Sequence, residues 1–285
     1  MQQKGIHWFP GHMQKALRQI EERLKIIDVV IELLDARAPL SCRNDYLYNM
    51  TASKKRLIIL TKLDLADKEV ALTWVDYFSK NGNQVILANL NDKNIVQEIT
   101  KRIQILGSEK QEKAKRRGMK PQPIKTMIIG IPNVGKSTLI NRLAKRSAAS
   151  VQNTPGHTRS QQWIKIGNDF ELLDTPGVLP AHYEDKNFAI NLALIGSIKQ
   201  DILPISDLVS ILINFLKLYY IDDFKKLYDL TDDILDDDIS VLTQIAKRRG
   251  LLSNKGYDLD KAENLLLKEF KDGKICRVCL ERIGD

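Results

Sequence analysis

A chain of 285 residues with 43% hydrophobic and 28% charged residues has a globular composition, long enough for one full domain and a smaller one. No run approaches 18 uninterrupted apolar residues, the N-terminus lacks an apolar signal core, and three cysteines are too few for a disulfide framework. These features argue against a transmembrane helix and a disulfide-stapled fold, and they lead us to expect a cytoplasmic, monomeric protein.

The opening Trp8-Phe9-Pro10-Gly11-His12-Met13 is an aromatic turn. A helix is expected over about 14–27, with Met13, Leu17, Ile20, Leu24 and Ile27 on one face. Asp28-Val29-Val30-Ile31-Glu32-Leu33-Leu34 is a buried strand. It ends in Asp35-Ala36-Arg37-Ala38-Pro39, a polar loop at the carboxyl end where doubly wound folds place ligands. Arg56-Leu57-Ile58-Ile59-Leu60 is a second strand, ending in Thr61-Lys62-Leu63-Asp64. A helix over 68–79 leads to a third strand, Gln84-Val85-Ile86-Leu87-Ala88, then to the loop Asn89-Leu90-Asn91-Asp92 and a helix reaching about residue 105. Strands alternating with helices at this spacing predict an α/β domain, a doubly wound, mostly parallel sheet.

Residues 107–123 are polar, basic and proline-bearing, and they are expected to be a flexible linker. The strand Ile124-Lys125-Thr126-Met127-Ile128-Ile129 follows, then a glycine loop and a helix from about Thr138. Gln161 to Ile166 and Phe170 to Leu173 look like paired strands around the turn Gly167-Asn168-Asp169, ending in Asp174-Thr175-Pro176-Gly177. Beyond residue 180 the strands stop. Phe188, Leu192, Ile195, Leu208, Leu212 and Leu216 at helical spacing predict an all-α domain to near 270. The expected division is therefore 1–180 and 181–285. The net charge of +8 is unevenly placed between them. Residues 181–285 carry 15 Lys and Arg against 19 Asp and Glu, so residues 1–180 hold a balance of +12 and should meet a polyanion. Cys276 and Cys279 have the spacing of a metal or redox pair, but no second Cys/His pair accompanies them, and two incidental thiols are expected.

Gly130-Ile131-Pro132-Asn133-Val134-Gly135-Lys136-Ser137 fits the phosphate-loop pattern G-x-x-x-x-G-K-[ST] between a strand and a helix, the context that makes the pattern a physical site. Backbone N–H groups of Asn133, Val134, Gly135, Lys136, Ser137 and Thr138 would point at polyphosphate oxygens. Lys136 adds a full charge, and the Ser137 hydroxyl is a magnesium ligand. About forty residues on, Asp174 is placed to hold the Mg²⁺ shell and Gly177 to sense a γ-phosphate. Between them, Asn153-Thr154-Pro155-Gly156-His157-Thr158-Arg159-Ser160 has the character of a mobile switch. Thr158 is its first candidate magnesium ligand and Thr154 its competitor. Thr61-Lys62-Leu63-Asp64 is close to the guanine motif N-K-x-D. Its aspartate would accept two hydrogen bonds that adenine cannot supply, and Ala88-Asn89 is a base loop reaching guanine O6. Thr61 stands where asparagine, whose side chain braces the phosphate loop, is usual; being shorter, it predicts tighter dependence on Lys62 and Asp64 and weaker guanine affinity.

The base motif precedes the phosphate loop by about seventy residues, the reverse of the common order. With Trp8 to Met13, Asp35 to Pro39, Pro155-Gly156-His157-Thr158 and Asp174-Thr175-Pro176-Gly177-Val178, this order resembles the ribosome biogenesis GTPase A family of circularly permuted GTPases. The resemblance implies hydrolysis of GTP to GDP coupled to maturation of the large ribosomal subunit. It also implies partners in ribosomal RNA and ribosomal proteins, and a potassium ion at Asn133 bridging phosphates. Val178 stands where glutamine orients water in many GTPases, and valine has no polar group for the task. The resemblance passes the role to His12, whose alternative is to cap the following helix. Two rival functions remain at the level of sequence: an RNA-binding protein merely gated by nucleotide, and an ATP-dependent kinase, which Asp64 disfavours.

Overall fold

The computed structural model describes residues 11–120, 122–146, 162–180, 185–199, 203–254 and 256–284, without the side chains at positions 11, 12, 146 and 162. The first half runs α1 (Gly11–Leu24), β1 (Val29–Asp35), α2 (Asp45–Met50), β2 (Lys55–Thr61), α3 (Lys68–Lys80), β3 (Gln84–Leu87), α4 (Ile95–Arg116) and β4 (Ile124–Ile129). After it come α5 (Lys136–Arg146), β5 (Gln162–Ile166), β6 (Phe170–Asp174) and α6 (Lys186–Leu194). The chain ends with α7 (Ile205–Tyr219), α8 (Ile221–Tyr228), α9 (Asp232–Leu235), α10 (Asp238–Arg249), the short strands β7 (Leu252–Ser253) and β8 (Gly256–Tyr257), and α11 (Leu259–Lys271).

Six strands form one sheet in the order β3-β2-β1-β4-β6-β5, parallel except for β5. All seven residues of β1 are buried, and alternate side chains of a strand face opposite ways, so both faces of the sheet are covered there. The parallel register sets Asp35 beside Thr61 at the carboxyl ends of β1 and β2, which lines up the loops that carry chemistry. The β5–β6 hairpin closes through Gly167 in the left-handed region (φ 58°), a conformation glycine adopts without steric cost. Helix starts are written in the sequence: Asn44, Asp67, Asp185, Asp237 and Asp258 each accept a backbone N–H of the first turn of α2, α3, α6, α10 and α11. A second core gathers Leu212, Leu216, Phe224, Tyr228, Leu266 and Phe270 among the helices that follow β6.

Two observations depart from the sequence expectations. Residues 107–116 are not a linker; they continue α4 to Arg116. Gly107 is there because Ile124 fills the space a side chain would need, a Cβ lying 2.3 Å from the Ile124 Cδ1. The outer turns are tied by Glu109–Lys113 and Glu112–Arg116 pairs at i,i+4 spacing. The chain's last segment, placed by the sequence with the helical domain, returns to the sheet domain. Val278 N donates to Leu65 O and Leu280 N to Arg37 O, while the Glu281 carboxylate accepts the N–H groups of Leu40 and Ser41 at 2.6 and 2.8 Å. Cys279 is buried in the core of the sheet domain, its thiol donating to Ala36 O and Asp67 O, so its place is one of packing.

Candidate nucleotide site

The loop after β4 folds over itself. Gly130 has φ 152°, and a Cβ there would lie 2.7 Å from Leu33 O. Gly135 has φ 106° and packs against Leu90 of the base loop. Asn133 also occupies the left-handed region (φ 63°), a conformation asparagine tolerates better than most residues. Lys136 opens α5 and turns back, its Nζ donating to Gly130 O at 2.9 Å and Ile131 O at 2.7 Å. Burial pushes its pKa down to about 8, and the Asp174 carboxylate opposes that push. A buried ammonium whose burial outweighs the charge of Asp174 is under-neutralised, the electrostatic condition a polyphosphate would relieve.

Across a cavity of about 1020 Å³ the loop faces β6's exit, Asp174 to Gly177. Thr175 Oγ1 donates to Ile128 O and pins that exit to β4. Gly177 lies so near the loop that a Cβ would sit 2.8 Å from Pro132 N and 3.0 Å from Lys136 Nζ. Ser137 and Asp174 line the same cavity. A hydroxyl and a carboxylate are hard oxygen donors, the donor set that suits Mg²⁺. Thr158 and Thr154 lie outside the described residues. Val178 is fully buried and its carbonyl accepts from Asn44 Nδ2, so this side chain faces core and not the cavity.

The third wall of the cavity was not foreseen. Lys15, Ala16 and Gln19 of α1 line it. Position 12 falls one turn earlier on the same helical stripe, at the i, i+3, i+4, i+7 spacing with 15, 16 and 19. The chain is already helical at Gly11 and not only from near residue 14, so His12 lies within α1, while its side chain lies outside the described residues. The period of α1 was legible in sequence. Which of its faces would meet the phosphate loop was not.

The base motif and base loop come together beside the phosphate loop despite their order in the chain. Leu63 N donates to Ala88 O, and Ala88 N to Leu60 O. Thr61 is fully buried, and its hydroxyl bonds Leu34 O at 3.1 Å and Val134 O at 2.8 Å. The Thr61 hydroxyl thus touches the phosphate loop itself, which approaches close enough for a side chain shorter than asparagine to reach it. Asp64 is exposed at this end of the sheet, and Asn89 Oδ1 accepts from Asn91 N within its own turn. Lys62, at φ 60°, pairs through Nζ with Asp35 Oδ2 at 2.9 Å.

Asp35 is fully buried. Burial would raise its pKa, but Arg37 and Lys62 outweigh that and hold it at about 2. Arg37 meets this carboxylate through Nε at 3.0 Å and Nη2 at 2.9 Å. It also donates to Lys271 O, the last carbonyl of α11, and to Ile195 O, just past the end of α6. The loop expected to face ligand thus divides its labour: Asp35 positions the base-motif lysine, and Arg37 caps two helices of the neighbouring domain. Asn133 Nδ2 donates to Gly196 O in the same region. In the basic run 247–249, Arg248 is bonded to Leu227 O and Arg249 to Glu269, so two of its three cations serve the helical core.

Comparison with known proteins agrees with this geometry. Residues 125–245 match the family of 50S ribosome-binding GTPases. Ribosome biogenesis GTPase A of Bacillus cereus is 43% identical over 277 residues, 97% of this chain and 93% of that protein. The Thermotoga maritima protein of the same name is 31% identical, over 98% of this chain and 95% of that one. Among solved structures, GDP-bound YlqF superposes with a TM-score of 0.64 at 27% identity, covering 94% of this chain and 100% of that one. GNP-bound YlqF from T. maritima gives 0.63 at 26% identity, covering 95% and 99%. A phosphate-loop sheet domain carrying a helical domain, matched over nearly its whole length at this identity, belongs to the ribosome biogenesis GTPase A family.

Proposed function

We propose that the protein is a circularly permuted GTPase that hydrolyses GTP to GDP and phosphate as a switch in late assembly of the large ribosomal subunit. The names of its relatives and the basic charge of its sheet domain support that partner. In this reading the loop amides and Lys136 hold the phosphates, and Asp64, with Ala88 and Asn89, selects guanine. Lys62, steadied by Asp35, stands at the base. Ser137, Asp174 and Thr158 hold Mg²⁺, which when bound supplies positive charge to the β- and γ-phosphates. Asn133 spends its amide N–H₂ on Gly196 O, which leaves Oδ1 for a potassium ion and is expected to make turnover faster in KCl than in NaCl at equal ionic strength.

The observation that carries the hydrolytic half of the reading is α1 along the cavity wall: position 12 shares the helical stripe of Lys15, Ala16 and Gln19, which line the cavity, while Val178 is buried elsewhere. His12 then orients or deprotonates the attacking water, and large-subunit binding completes the arrangement. His12→Ala should lower subunit-stimulated single-turnover hydrolysis by about 10²-fold or more while GTP affinity stays within roughly twofold. A mutant that is stimulated as well as the wild type, and loses only melting temperature, would reduce His12 to a helix-capping residue. If subunits stimulate neither protein, the nucleotide-gated RNA-binding alternative gains.

A further inference from the structure

The outer half of α4 adds little to the core of the sheet domain and touches it mainly through polar contacts, Lys110 to Asp28 and Gln111 to Gln122 O. Its last buried residue is Gly107, and the exposed side of the turns from Ser108 to Arg116 carries the charge pairs Glu109–Lys113 and Glu112–Arg116. A helix that continues past its last fully buried residue orders a surface that contributes little to the core and is free for another use. Its charges suggest one. Lys110, Lys113 and Arg117 form one stripe facing a groove of about 520 Å³, whose opposite wall carries Lys54 and Lys55. Asp28 and Glu109 are the anions of that groove, already engaged by Lys110 and Lys113. Lys115, Arg117, Lys120 and Lys55 are exposed and carry no ion pair among the described residues.

The groove lies at the amino ends of β1 and β2, whereas the phosphate loop follows the carboxyl end of β4. A seven-residue strand spans about 20 Å, so the two sites are at opposite ends of the sheet. We infer that the projecting half of α4 and the groove beneath it form a docking surface for the phosphate backbone of duplex RNA. The excess of cations over anions selects a polyanion. The spread of cations beyond the groove, to Lys115 and Lys120, suits an extended backbone and not a single small phosphate. The basic run 247–249 is the weaker rival, since Arg248 and Arg249 are occupied within the helical domain. The inference rests on the ribosomal reading above for the source of the RNA, and it adds the face that meets it.

The test uses the whole chain with the triple substitution Lys113→Glu, Arg117→Glu, Lys120→Glu, and a milder triple to Gln in case charge reversal unwinds the helix. The probe is a 16-base-pair RNA hairpin, titrated at several KCl concentrations, with GDP affinity measured alongside. The Glu triple should bind the hairpin at least tenfold more weakly. The dependence of log K on log salt should lose a slope of about 2 to 3, near one per cation removed. The Gln triple should show a smaller loss in the same direction, and GDP affinity should be unchanged in both. Hairpin affinity and salt slope equal in wild type and both variants, or no hairpin binding by the wild type, would overturn the surface. Cosedimentation with large ribosomal subunits separates the two claims. A wild type that grips the hairpin through these residues but ignores subunits sinks the ribosomal reading and leaves the surface standing. Variants that lose the hairpin yet sediment with subunits normally overturn the ribosomal use of this face.

Discussion

Lys136 shows how far a single side chain can be tuned by where the chain folds it. Enclosed in its own loop, it has a pKa near 8 because burial disfavours the ammonium and Asp174 compensates only in part. Its folded pKa thus lies below the unfolded value of 10.5, so between about pH 8 and 10.5 the unfolded chain binds more protons than the folded one. The folded state gains stability from this group as pH rises through that window and carries the full penalty below pH 8. Polyphosphate reverses the sign, because it favours the charged lysine. GDP affinity should therefore fall as pH rises above 8, by at most about tenfold per pH unit, with uptake of up to one proton at pH 9. Calorimetric titrations in two buffers of different ionisation enthalpy read that proton directly, and a flat affinity from pH 7.5 to 9.5 would refute the account. The nucleotide motif was legible at this scale because its residue types are dictated by phosphate chemistry. The contact of the Thr61 hydroxyl with Val134 O was not legible, because it depends on a loop approach no local pattern records.

At the scale of elements, spacing told helices from strands but could not say why a glycine was present. Gly107 looked like the start of a linker and proved to be a packing residue inside α4, because its partner Ile124 comes from the next strand. Gly177 was assigned on motif grounds, and the fold supplies a steric reason as well: its backbone lies against Pro132 and Lys136. Gly177→Ala must push the β6 exit away from the phosphate loop. GDP affinity should stay within about threefold while single-turnover GTP hydrolysis drops by about 10²-fold, the loss typical of removing one oriented donor at a reacting group. An alanine variant with wild-type hydrolysis would show that this contact opens in the reacting state.

For the molecule as a whole, the decisive contacts are between units that sequence analysis had separated. Arg37 binds a buried carboxylate of the sheet domain, the terminal carbonyl of α11 and the Ile195 carbonyl just past α6 at once, and Glu281 caps the loop at Leu40 and Ser41. Asp35 also holds Lys62 of the base motif, so base site and helical domain share one ion cluster. Arg37→Met keeps an unbranched stem but removes the guanidinium and leaves Asp35 buried with Lys62 alone, at a cost of about 3–5 kcal/mol. The wild type should unfold calorimetrically in one transition that GDP shifts as a unit. The variant should show two, with GDP raising only that of the sheet domain. A single, nucleotide-shifted transition in Arg37→Met would show that the cluster is not the coupling element.

By itself the sequence determined the α/β alternation, the phosphate loop, the displaced base motif and the helical tail, since each is set by local rules: side-chain period, turn chemistry, and the residue types that phosphate and guanine require. Only the tertiary structure decided that α1 walls the nucleotide cavity, that α4 outruns its core as a charged arm, and that Arg37 and Glu281 fasten the two domains. Those contacts join residues up to 241 positions apart. Their partners are chosen by packing and by the need to satisfy buried polar groups, and neither leaves a local mark in the order of residues.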